Sequence, residues 1–146
     1  MPTEITGELR TFMDAFGVRI GDPRLEPALA LLGEVEETPP VRNAGALYSA
    51  VRSLPSGVSI MLRDGVVLRA FIYLTPQKGF TPYARPEALV NGLDLGAANR
   101  ETVRAFFGPP IEELPAFDYF HAGYDIAVDY DDDGAVTTIL PMVESA

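Results

Sequence analysis

From Leu95 to Met142 the chain reads as a helix cap, a short helix, a hard stop and three strands separated by tight turns. Asn99 can accept a hydrogen bond from the first helical turn, and Val103, Phe106 and Phe107 fall on one face of the helix it would start. Gly108 ends that helix. Pro109-Pro110 forbids its continuation, because proline lacks the N–H donor and clashes with the preceding turn. Residues 111–116 read as loop. Alternating apolar residues then place strands at 117–122, 124–130 and 135–140, with turns near Gly123 and at Asp132-Asp133-Gly134.

The stretch from Gly21 to Leu74 repeats this order with different residues. Asp22 caps a helix, Pro23 takes its first position, Leu25, Leu29 and Leu32 line one face, and Gly33 stops it. Residues 34–43 form a polar, proline-bearing loop. Strands are expected at 46–53, 57–63 and 66–74, with Pro55-Ser56-Gly57 and Asp64-Gly65 as the turns between them. Gly33 aligns with Gly108, Gly57 with Gly123, and Asp64-Gly65 with Asp133-Gly134. A helix at 3–16, capped by Thr3 and stopped by Gly17, has no counterpart; its stripe is Ile5, Leu9, Phe12, Met13 and Phe16. Residues 75–93, with Pro76, Gly79, Pro82, Pro86 and Gly92, read as a linker with one helical turn near 87–90. One helix can cover only part of a three-stranded face, so two units gain by sharing a core. The expected fold is therefore α+β, a single domain over 1–146. Two helix-then-three-strand units, 21–74 and 95–142, form one mostly antiparallel sheet of about six strands with helices on one face.

Several function classes drop out on composition. Apolar residues make up 47% of the chain and charged residues 22%, which is ordinary globular usage and argues against disorder. Without cysteine there is no disulfide, thiolate metal site or cysteine nucleophile, which fits a reducing compartment. The N-terminal residues lack the basic and apolar regions of a signal peptide, and no apolar run approaches the ~20 residues of a membrane span, so no membrane association and a cytoplasmic location are expected. The net charge of −10 disfavours nucleic acid, whose phosphates need a basic patch, and favours a basic protein surface.

The motifs carry little chemistry. Asp129 to Gly134 matches the opening D-x-D-x-D-G of a calcium loop, but its twelfth position is Leu140 rather than glutamate and its flanks read as strands. It is expected to be an acidic hairpin turn that holds no metal. His121 is the only histidine, with no cysteine to join it and no serine in a nucleophile elbow. Tyr48, Ser56 and Ser59 make no triad, and the glycines form neither a dinucleotide fingerprint nor a phosphate loop, so no catalytic group and no cofactor are expected. Strand alternation puts Tyr119 and His121 on one face and Phe120 on the other. An aromatic surface with acidic neighbours suits a protein partner.

The pattern Leu95-Gly96, Arg100-Glu101, Val103, Gly108, Pro110 and then Tyr124 to Ile139 resembles the helix-then-sheet repeat of the β-lactamase-inhibitor-like fold. That repeat is also seen in small outer-membrane lipoproteins of the assembly machinery, whose lipidated cysteine is absent here. The pattern also resembles small bacterial proteins of the toxin-immunity type. The resemblance covers 92–142 well and 21–74 more loosely, and rests on fold-determining positions. It implies a non-enzymatic binder whose sheet receives a partner, a basic toxin or effector. The expected contact residues are Glu112, Glu113, Tyr119, His121, Asp129, Asp131 and Asp132. The alternative is a small-molecule binder or enzyme with a pocket between sheet and helices, lined by Tyr48, Tyr73, His121 and Tyr124.

Overall fold

The computed structural model describes residues 5–121 and 125–143. The α-helices are α1 (Glu8–Met13), α2 (Glu26–Leu32), α3 (Pro86–Leu89) and α4 (Arg100–Phe107), with a 3-10 turn at Pro23–Leu25 leading into α2. The strands are β1 (Glu36–Glu37), β2 (Val41–Asn43), β3 (Ala46–Ser53), β4 (Val58–Arg63), β5 (Val66–Tyr73), β6 (Glu112–Glu113), β7 (Phe117–His121), β8 (Asp125–Tyr130) and β9 (Val136–Met142).

Side-chain caps start α4 and the 3-10 turn ahead of α2. Asn99 Oδ1 accepts from the Thr102 backbone N–H at 3.0 Å while Thr102 Oγ1 accepts from the Asn99 N–H at 2.9 Å, a reciprocal box that starts α4. Asp22 Oδ1 accepts from the Arg24 N–H at 2.9 Å. The first helix is shorter than the apolar stripe implied. It begins at Glu8, because Gly7 has φ of 114° and lies so close to α3 that a Cβ would sit 2.6 Å from the Leu89 carbonyl oxygen. Ile5 is buried ahead of the helix, and Thr3 lies outside the described residues. The linker is a packed element. Its Tyr83 stands edge-on to Phe12 with centroids 6.4 Å apart, and Arg85 reaches Glu8 of α1 at 3.0 Å.

The sheet has nine strands in the order β1-β3-β4-β5-β9-β8-β7-β6, with β2 also on β3, and every pairing among the described residues is antiparallel. The strands from apolar alternation, β3–β5 and β7–β9, lie within two residues of their expected bounds. The expectation of about six strands is corrected by three short ones, β1, β2 and β6, which fall in segments read as loop. Their residues are exposed and carry no pattern; they form because the edges of β3 and β7 offer unpaired backbone groups.

One face of the sheet supplies Val51, Ile60, Leu62, Ile72, Phe120, Ile126, Val128 and Ile139 to a core shared with Leu9, Phe12, Leu32, Leu89 and Val103 from the helices. At its centre β5 meets β9, with Ile72 opposite Ile139. Side chains on alternate positions point to the opposite face, called here the open face.

Candidate functional site

Three rows of the open face run across the second half of the sheet. Glu112 of β6 pairs with Tyr119 of β7, Tyr119 with Ala127 of β8, and Ala127 with Leu140 of β9. In the next row Phe117 pairs with Asp129 and Asp129 with Thr138. On the other side His121 pairs with Asp125, Asp125 with Met142, and Met142 with Arg69 of β5. These rows enclose a hollow of about 370 Å³ lined by Glu112, Leu114, Phe117, Tyr119, Ala127, Asp129, Leu140 and Met142. Its walls are apolar except for the two carboxylates and the Tyr119 hydroxyl.

The electrostatics follow from that lining. Loss of water against the apolar wall raises the Asp129 carboxyl above its ordinary value, and Lys78, from the turn after β5, pulls the other way. The Tyr119 hydroxyl is pushed up to about 12 by desolvation and then by its hydrogen bond to Asp125. That hydroxyl also lies 3.7 Å from Met142 Sδ. Asp125 is buried, and its Oδ1 is 2.9 Å from His121 Nδ1, which donates to it because a carboxylate can only accept.

The structure sorts the expected contact residues. Glu112, Tyr119 and Asp129 line the hollow, and His121 occupies the adjoining row. Glu113 does not reach it. Neighbouring strand residues point to opposite faces, and the Glu113 carboxylate is 3.2 Å from Arg104 on the helix side. Asp131 serves its own turn, where Oδ1 accepts from the backbone N–H groups of Asp133 at 2.9 Å and Ala135 at 3.0 Å. Asp132 is exposed at the tip of that hairpin, away from the hollow. The alternative set does not converge on the hollow. Tyr48 stands on β3, and Tyr73 on β5 is buried against Phe80 with centroids 4.5 Å apart. Tyr124 lies outside the described residues. A larger hollow of about 650 Å³ lies against α2, lined among others by Ile20, Leu25, Leu29 and Val35, and contains none of the expected residues.

Behind the site, on the helix side of β7, sits a charge cluster absent from the sequence expectations. Asp118 is fully buried. It accepts from Arg104 Nε at 2.8 Å and Nη2 at 2.7 Å, from Arg100 Nη2 at 2.8 Å, and from the Tyr130 hydroxyl at 3.0 Å. Arg100 also donates to the carbonyls of Leu114, Pro115 and Phe117, and stacks over Tyr130 at 5.0 Å. Burial alone would raise the Asp118 carboxyl, but the hydrogen bonds from Arg104, Arg100 and Tyr130 outweigh it and hold it well below the usual carboxylate range. The cluster fixes α4 to β7 and so sets the position of the 114–117 turn at the edge of the hollow. Its signal was available in part, since Arg100 and Arg104 stand four apart on one helix face and Asp118 shares the inward parity of Phe120.

No protein-family model matches the chain, no curated protein matches its sequence, and no solved structure matches its fold. No described helix is long and apolar enough to cross a membrane.

Proposed function

We propose that this chain is a non-enzymatic binding protein of the immunity or inhibitor type, which neutralises a basic toxin or effector by covering it with the open face of its sheet. The observation that carries this reading is the apolar hollow edged by Glu112 and Asp129 on a protein of net charge −10. The reading takes α2 with β3–β5 and α4 with β7–β9 as two like units whose last strands meet, as in the β-lactamase-inhibitor-like repeat. It places the protein in the bacterial cytoplasm. The test is recovery of a stoichiometric protein partner by the tagged chain from its native host. The partner should be basic and should be released by raised salt. Recovery of none across mild salt conditions overturns the reading.

A small-molecule-binding or enzymatic reading draws on one observation, the His121 ring held at Nδ1 by the buried Asp125 beside Tyr119. Under that reading a metabolite panel raises the melting temperature and His121→Gln removes the rise. A panel without a hit, or a rise that survives the substitution, excludes it.

A further inference from the structure

We propose that the hollow spanning β6 to β9 is an anchor pocket for a single arginine side chain projecting from the protein partner. The proposal rests on the binding reading above and specifies the chemistry of its central contact. Phe117 and Tyr119 are two apart on β7 and lie side by side on the open face. Glu112 flanks this ring pair from β6, level with Tyr119, and Asp129 flanks it from β8, level with Phe117. The two acidic positions are therefore two strand spacings apart across the sheet and two residues apart along it, roughly 12 Å between backbones, with the rings between them. Leu140 and Met142 of β9 complete the apolar wall.

Each part of an arginine finds a counterpart there. Its aliphatic stem matches the Leu140 and Met142 surface. Its planar guanidinium can lie on an aromatic face and still present donors to carboxylates on both sides. A lysine ammonium is a compact point charge that stacks less well. A neutral side chain of the same shape covers both carboxylates without bringing a charge to pair with them, so the pocket selects for charge as well as shape. Both carboxylates are exposed in the free protein, so it is the incoming side chain that takes water from them.

The test titrates the peptide acetyl-Gly-Arg-Gly-amide, and its citrulline and lysine counterparts, into the full chain carrying labelled methionine and leucine methyl groups. The arginine peptide is expected to shift the Met142 and Leu140 methyl signals saturably. The citrulline peptide should leave them in place over the same range, and lysine should bind more weakly. Glu112→Gln and Asp129→Asn should each weaken the arginine peptide by about tenfold, the loss of one charge-assisted pair. Arg63→Ala, elsewhere on the open face, should change nothing. Equal shifts from citrulline or lysine, or none from arginine, overturn the proposal. So does self-association that disappears in Arg63→Ala, which would make the occupant a second copy of this chain. A stoichiometric partner whose affinity ignores both carboxylate variants overturns the anchor and leaves the binding reading standing. Arginine-specific shifts with no recoverable partner do the reverse.

Discussion

Asp118 buries a full negative charge at the back of β7 and offsets it with two guanidinium groups and a phenol. Removing one member of such a cluster costs more than the cluster contributes as a whole, because the remaining charges keep their desolvation without a partner. Asp118→Asn should therefore destabilise the protein by about 3 kcal/mol at neutral pH, the low end for a buried pair because both arginines are partly exposed. The pH dependence has a definite sign. The carboxyl is depressed in the folded state, so its stabilisation is complete above the unfolded value near 3.9 and fades as pH falls below it. Urea unfolding at neutral pH and at about pH 3 should show the gap between wild type and Asp118→Asn narrowing in acid. A gap that stays constant would mean that the charge is not what the cluster uses.

Two turns show how much an element depends on one atom. At Gly57, before β4, φ is 74° and an added Cβ would lie 2.3 Å from the Thr81 carbonyl oxygen. Gly57→Ala must push the linker away from the sheet and should cost roughly 2–4 kcal/mol. Gly33→Ala, with a similar φ of 71° and nothing within 4 Å, should cost only about 1 kcal/mol, and equal melting losses would show that contact is not the cause. The β8–β9 hairpin separates its aspartates in the same way. Asp131→Ala removes the acceptor for two backbone N–H groups and should cost about 1 kcal/mol. Asp132→Asn at the exposed tip relieves like-charge repulsion and should stay within ~0.5 kcal/mol of wild type, or slightly above it. Calcium and chelator should give the same melting temperature, because Leu140 stands where a calcium loop needs its bidentate glutamate and instead lines the open-face hollow. A rise of several degrees with calcium would identify the turn as a metal site.

Across the whole molecule, β5 and β9 join the two halves of one sheet over a continuous core. Neither half can lose its partner without exposing that core, so thermal unfolding should be a single cooperative step. Ile72 and Ile139 face each other at the junction with no exposed surface. Each alanine substitution there should cost about 2–5 kcal/mol, and the double variant should depart from additivity by at least ~0.5 kcal/mol. Two resolved transitions in the wild-type melt, or strict additivity, would show that the halves fold separately.

The six long strands, the Asn99 cap of α4, the Asp22 cap of the 3-10 turn before α2, the Gly33 stop and the Asp64-Gly65 turn were legible in the sequence because each is set by residues within a few positions of one another. Apolar alternation, a capping side chain or a turn dipeptide acts locally. The short strands were not legible, since Glu36, Val41 and Glu112 join the sheet through backbone groups of β3 and β7 rather than through a side-chain pattern of their own. The split between Glu112 and Glu113 depended on that same pairing, which turns one toward the hollow and the other toward Arg104. The helix expected over 3–16 is α1 at Glu8–Met13, and its start is set by an approach between Gly7 and Leu89, 82 positions apart. Asp118 found Arg100 and Arg104 across a turn whose course the sequence left open. Local chemistry thus determined which segments are helix and strand. Register and long-range packing decided which carboxylates support the fold and which two stand beside an apolar hollow, because those depend on distances that sequence spacing does not encode.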